Sequence, residues 1–325
     1  MPASSPAIPP SRLAVLAAYA ALYVVWGSTY LAIHFAIESL PPMLMASARF
    51  LIAGSLLYVW MRLRGAPAPT RLHWRTGLIV GGFLLLGGNG AVVWAEQSVP
   101  SGIAALFVAV LPLWMVLIAW AQGGPRPTGR VMLGIALGLF GVAVLVGPDA
   151  FSGGGRVDPI GGLVLILGSL SWALGSMYSR GAPQPTAPAL GSATQMLAGG
   201  ALLLIAAFIR GEPAAFEPAA VTTGSLFALL YLVIAGSLIG FSAYLWLLRV
   251  EPPARVATYA FVNPVVAVFL GWALAGEPLT LSTVIAASII VASVALVVRG
   301  QPAPPPPAPD PTVDGEAPTL ARTAA

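Results

Sequence analysis

Of the 325 residues, 58% are hydrophobic and only 8% are charged, where soluble domains carry about a quarter charged. That is too little charge to coat a water-soluble globule of this size. The fifteen basic residues are all Arg, the net charge is +4, and Cys is absent, which excludes disulfides, thiol catalysis and Cys-based metal sites.

Residues 1–10 are polar and Pro-rich, and the apolar segment after Arg12 continues for about twenty residues, enough to span a bilayer and unlike a cleaved leader. Similar apolar stretches follow, bounded by Pro, Gly or charge, and predict an all-α integral membrane protein of ten transmembrane helices. They lie near 12–33, 43–61, 74–95, 101–121, 130–147, 159–179, 189–209, 224–248, 254–276 and 279–298. The Pro/Ala-rich segment 300–325 cannot bury a core and reads as a disordered cytoplasmic tail.

Orientation follows from the arginines. With the N-terminus inside, the inner loops and ends hold Arg12, Arg62, Arg64, Arg71, Arg75, Arg126, Arg130, Arg180, Arg249, Arg255, Arg299 and Arg322. The outer side holds Arg156 and Arg210. This positive-inside bias places both termini in the cytoplasm. It also accounts for the basic charge, so a nucleic-acid partner is not expected.

The chain repeats itself. Shifting it by 152 residues aligns 100–147 with 252–299 at 12 of 48 identical positions, among them Pro100 with Pro252, Pro112 with Pro264 and Trp120 with Trp272. Trp26 matches Trp172 in a looser alignment of the two starts. The expected units are therefore 12–147 and 148–299. Five helices per unit is an odd number, so the second copy enters the membrane from the opposite side, giving inverted repeats. Secondary transporters use that arrangement for alternating access, with the substrate near the midplane between the halves.

Several motifs resemble one family. They are Trp26-Gly27-Ser28-Thr29-Tyr30, Ala48-Arg49-Phe50, Pro100-Ser101-Gly102-Ile103-Ala104, Asn263-Pro264 and Gly276-Glu277-Pro278-Leu279-Thr280. Together they are similar to the drug/metabolite transporter superfamily, in particular its ten-helix EamA branch and the YedA-like exporters. The resemblance covers residues 12–298. It implies a bacterial inner-membrane carrier whose helices one to four and six to nine surround a cavity, with five and ten peripheral. Small carriers of that superfamily exchange protons on a carboxylate in their first helix. Here that region reads Trp26-Gly27-Ser28, so that mechanism does not carry over.

The polar and aromatic residues inside the spans are the site candidates. Arg49 is a charge well inside a span, roughly 10 Å below the outer end of the second helix at 1.5 Å per residue. Such a charge faces a cavity or partner, or snorkels to the interface. Asn89, between Gly88 and Gly90, and Glu96 lie seven apart on one helical face. Glu96 fits a role as counter-ion of Arg49, as a proton site, or as a solvated outer acid. The matched Trp26 and Trp172 suit walls for an apolar or aromatic solute, or plain packing. Pro112 and Pro264 are a matched pair expected to break two helices mid-span, as hinges or site lining or as simple structural kinks. Ser28, Tyr30, Gln195, Tyr259 and Asn263 complete the candidate cavity set. Gly77-xxx-Gly81 and Gly134-xxx-Gly138 suit close helix packing.

No nucleotide-binding loop, metal cluster or nucleophile–base pair is present in the sequence, so neither a cofactor, ATP drive nor catalysis is expected. The expected partners are a small-molecule substrate and the lipid bilayer, with monomer and homodimer both open. The function read from these features is a secondary transporter exporting small metabolites, amino-acid-like solutes or drugs. An importer on the same fold and a non-transporting scaffold are the alternatives. Reporters fused after Arg71 and Pro127 should read cytoplasmic and one at Gly154 external; an external signal at Arg71 would overturn the inverted arrangement.

Overall fold

The computed structural model describes residues 11–99, 101–146, 159–275 and 281–300. The tail expected to be disordered and the residues Pro100, Asp149, Arg156, Asp158, Glu277 and Pro278 lie outside the described residues.

Every regular element among the described residues is helical. In chain order the longer ones are α1 Arg12–Ile37, α2 Pro42–Leu63, α3 Arg71–Ala95, α4 Ser101–Val108, α5 Leu111–Ala121, α6 Gly129–Val146, α7 Pro159–Gly181, α8 Pro188–Ile209, α9 Thr223–Val250, α10 Tyr259–Ala275 and α11 Leu281–Gly300. Six of these, α1, α2, α3, α7, α8 and α9, are long and apolar enough to cross a membrane, and shorter apolar helices fall within α5, α6 and α11. Helix starts follow local chemistry. Ser11 and Thr222 accept hydrogen bonds from Ala14 N and Ser225 N at the N-termini of α1 and α9, and prolines open α2, α7 and α8. Large side chains such as Leu56, Trp60, Leu163, Phe208 and Phe227 remain exposed around the bundle. An apolar exterior of that extent suits lipid rather than water.

Packing is densest where small residues let backbones meet. α2 lies along α8, α3 against α7 and α8, α6 against α11, and α1 against α9 and α10. At the α3–α8 contact, a Cβ on Gly81 would stand 2.7 Å from the Gln195 carbonyl and the Gly199 nitrogen. A Cβ on Gly134 or Gly138 would meet Val297 or Ser293 of α11 at 2.8 and 2.7 Å. Both small-residue pairs therefore sit in close helix contacts, where dispersion rather than the hydrophobic effect drives association in lipid.

Two stretches depart from α-helical geometry. Gly82–Asn89 within α3 and Leu232–Phe241 within α9 are π-helical, a form that is rare and usually short. Carbonyls in these stretches are taken up by side chains of facing helices. Ser171 donates to the Phe83 carbonyl at 2.8 Å and Trp26 Nε1 to the Gly236 carbonyl at 3.0 Å. Each stretch carries glycines, and Gly87 is what admits Ser171, whose Oγ would lie 2.2 Å from a Cβ there.

The two prolines differ. The expected span 101–121 is broken, with Ala109 and Val110 between α4 and α5 and Pro112 in the first turn of α5. Pro264, expected to break its helix, lies inside the uninterrupted α10, a correction to the matched-break expectation. The interruption comes earlier, at Ala257 and Thr258, after the one-turn helix Pro253–Val256. There Thr258 Oγ1 donates to the Arg255 carbonyl at 2.6 Å and pairs with the Tyr23 hydroxyl at 2.7 Å, so a side chain satisfies the backbone where the helix stops.

Gly81→Ala should lower stability by about 1–3 kcal/mol, the usual cost of overpacking. Gly129→Ala, whose Cβ would meet open space, should leave it unchanged. Thermal unfolding of the purified variants in detergent checks the contrast.

Candidate functional site

A cavity opens where α1, α2, α3, α7, α9 and α10 face one another, and α4 and α5 contribute Val108 and Leu111. Its wall includes Trp26, Thr29, Tyr30, Arg49, Phe50, Asn89, Ser169, Trp172, Gly236, Phe241, Tyr259 and Asn263. Its volume is about 70 Å³, far below the roughly 300–1,000 Å³ of pockets that hold drug-sized ligands. In this conformation it has room for water or a small fragment, so admitting a larger solute requires the helices to part.

Arg49 is 3% exposed. Its Nε donates to Ser237 Oγ at 2.8 Å and its guanidinium lies over the Phe50 ring, 4.7 Å from the centroid. Gly236 makes room for it, since a Cβ at that position would stand 2.7 Å from Nη2. Arg49 Nη1 is buried without a hydrogen-bond partner. The π stretch of α9 thus supplies both Ser237, which anchors the guanidinium, and the Gly236 carbonyl, which anchors Trp26.

The aromatic side of the cavity is built across the chain. Trp26 and Trp172 meet edge to face, centroids 5.5 Å apart, and Tyr259 lies 5.0 Å from Trp26. Tyr244 stands behind them. It accepts from Trp172 Nε1 at 2.8 Å and shares a 2.6 Å hydrogen bond with Ser176, whose own proton goes to the Trp172 carbonyl. Gly240 and Gly88 lie directly under the two indoles. A Cβ would come within 2.3 Å of Trp26 at Gly240 and 2.5 Å of Trp172 at Gly88.

Of the sequence candidates, Trp26, Tyr30, Arg49, Asn89, Trp172, Tyr259 and Asn263 are brought together on this wall. Three are elsewhere. Ser28 donates to the Val25 carbonyl and pairs with the Tyr231 hydroxyl. Gln195, 1% exposed, reaches Gln184, which also receives Arg249. Glu96 is 7% exposed, beyond the last turn of α3, and both its carboxylate oxygens are buried without a partner. It makes no ion pair with Arg49. The ion pairs among the described residues are Arg210–Glu212 at 3.6 Å and Arg255–Glu251 at 2.7 Å. The end of α3 packs against α2, yet of the two residues seven apart on α3 only Asn89 reaches the wall that holds Arg49. Sequence reasoning missed Ser237, Gly236 and Tyr244, which hold the Arg and Trp side chains. The glycines at 236 and 240 were the available signal.

Four similarities bear on this arrangement. Residues 12–147 and 159–299 each match the EamA-like transporter family. The chain is 40% identical over 290 residues to the protein named "Uncharacterized inner membrane transporter YedA" of Escherichia coli strain K12, covering 89% of this chain and 92% of that one. It is 26% identical over 285 residues to the "Probable amino-acid metabolite efflux pump" of the same strain, covering 85% and 92%. A protein crystal structure superposes with a TM-score of 0.68 at 22% identity, over 89% of this chain and 99% of the other, which shows a shared fold.

Because Arg49 and Glu96 share no contact or partner, their substitutions should act independently. The stability changes of Arg49→Gln and Glu96→Gln should add in the double variant to within about 0.5 kcal/mol. A rescue in the double variant, measured by thermal unfolding, would indicate a direct pair.

Proposed function

The chain belongs to the EamA-like transporter family, and from that premise we propose that it is a secondary transporter exporting small metabolites, amino-acid-like solutes or drugs by alternating access. The moving units are two inverted five-helix repeats, residues 12–147 and 148–299, in a bacterial inner membrane with both termini and the tail 300–325 cytoplasmic.

The observation that carries this reading is the small cavity itself. A buried, incompletely bonded guanidinium and two tryptophans face a space of about 70 Å³ between segments of both repeats. A packed core would have filled that space with apolar side chains, because an unsatisfied buried polar group costs about 1–3 kcal/mol. A site that binds and releases solute keeps such groups for its occupant.

The helix pairing supports the inverted repeat. Exchanging the repeats turns the α1–α9 contact into α7–α3, and α2–α9 into α8–α3. It turns α1–α10 into α7 against α4 and α5, and it leaves α2–α8 and α6–α11 as self-paired contacts. The π stretches fall in the corresponding third helices of the two repeats, and Gly88 and Gly240 under the two indoles are 152 residues apart, the offset of the sequence repeat. Rocking one repeat against the other about the Trp26–Trp172 contact would open the cavity to one side at a time. Export is supported by the efflux name carried by one relative. The residues of the cavity wall and the transporter family support binding and release, rather than bond-making chemistry, as the role of this site.

In proteoliposomes loaded with amino-acid-like and aromatic solutes, the wild-type protein should move at least one member of the panel down an imposed gradient. Arg49→Ala should cut that flux about tenfold or more with little change in thermal stability, and Arg49→Lys should restore it in part, because an ammonium cannot reproduce the planar fork of a guanidinium. Near-wild-type flux by a stable Arg49→Ala protein would remove Arg49 from the transport path.

A further inference from the structure

The charge balance inside the cavity points to one chemical class of occupant. Arg49 carries a full positive charge that no protonation change removes, because guanidinium stays protonated in proteins. Its single side-chain hydrogen bond goes to a neutral hydroxyl, Ser237, and its Nη1 has none. Among the described residues neither acid of the two ion pairs faces the cavity, and Glu96 is not on its wall. A buried charge of this kind is stable only when a counter-charge with good geometry completes it.

Two further groups on the same wall are incomplete. Oδ1 of Asn89 and Oδ1 of Asn263 are buried without hydrogen-bond partners. Carboxamides offer donors and acceptors, and the orientation of each is set by whatever lies beside it. The polar part of the cavity therefore presents one cation and two carboxamides, and the remainder is the aromatic wall of Trp26, Trp172 and Tyr259. A cationic solute would meet like charge in a dry space. A neutral solute would leave the guanidinium without a counter-charge. A carboxylate matches the planar fork of Arg with two parallel hydrogen bonds.

We propose that the cavity selects organic carboxylates. The carboxylate docks on Arg49 beside Asn89 and Asn263, and a ring or apolar body enters the aromatic wall once the helices part. This rests on the reading of the cavity as the solute site and names the substrate class for it. Gly236 belongs to the same device, because its missing Cβ leaves the guanidinium its place.

The test uses three probes of similar shape: 3-phenylpropionate, its neutral amide 3-phenylpropanamide, and the cation 3-phenylpropylamine. Binding is measured by calorimetry and by ligand-induced thermal stabilisation of the full-length protein in lipid nanodiscs, so no transport is needed. The carboxylate should bind at least about tenfold more tightly than the amide, and the amine more weakly than either. Arg49→Gln should abolish the preference for the carboxylate over the amide. Should that variant not fold, the ranking of the three probes on the wild-type protein decides alone. Amide or amine binding as tight as the carboxylate, a preference that survives in Arg49→Gln, or no binding of any probe would each overturn the proposal. Carboxylate-selective binding without flux in proteoliposomes would instead count against the transport reading and leave this one standing.

Discussion

Backbone carbonyls released inside an apolar bundle must find donors, because lipid supplies none. The π stretches of α3 and α9 each present a carbonyl to a side chain of a facing helix, and the bond on α9 helps to build the central site. Trp26 Nε1 closes on the Gly236 carbonyl and Ser171 on that of Phe83. The first of these bonds fixes the indole that forms the aromatic wall. The next residue along, Ser237, holds Arg49. An irregular backbone stretch thus positions an aromatic wall and a cation in adjacent residues, with no flexible loop involved.

The glycines make that geometry possible. Trp26 over Gly240 and Trp172 over Gly88 approach the π stretches more closely than any residue with a Cβ would allow. The two indoles, each lodged over a glycine of the other half, then meet edge to face at the centre. Their contact is braced on one side by Tyr244, which accepts from Trp172 Nε1 and pairs with Ser176. Edge-to-face aromatic pairs contribute only about 0.5–1.5 kcal/mol beyond burial, so a contact of this kind can open without unfolding the helices that carry it.

Elsewhere the bundle is tied more firmly. The α2–α8 and α6–α11 contacts are the most extensive helix pairs, and Gly200 and Gly134 bring backbones together there. Outside the cavity, polar side chains reinforce helix ends. Glu212 accepts from the Leu44 nitrogen at the start of α2, and Arg180 donates to the Leu248 and Glu251 carbonyls at the end of α9. Buried side-chain atoms without partners occur in several parts of the bundle, Glu96 and Gln195 among them, but those of Arg49, Asn89 and Asn263 line one cavity, where an occupant can reach all three.

The membrane class, the helical character and the family were legible in the sequence, because they depend on the length of apolar runs, the scarcity of charge and local motifs such as Trp26–Tyr30. Arg49 and the tryptophan pair were legible as candidates for a similar reason: a charge or a large aromatic deep in an apolar run stands out without knowledge of its neighbours. Tertiary structure alone decided which candidates share a space. It separated Glu96 from Arg49, sent Gln195 towards Gln184, and drew in Ser237, an ordinary serine until its helix unwinds into a π turn beside Arg49. It also carried α10 through Pro264 and placed the interruption at Thr258. Helical periodicity gives the direction of a side chain on its own helix. Contact depends on the rotation, tilt and local winding of two helices at once, and these are set by packing between residues far apart in the chain.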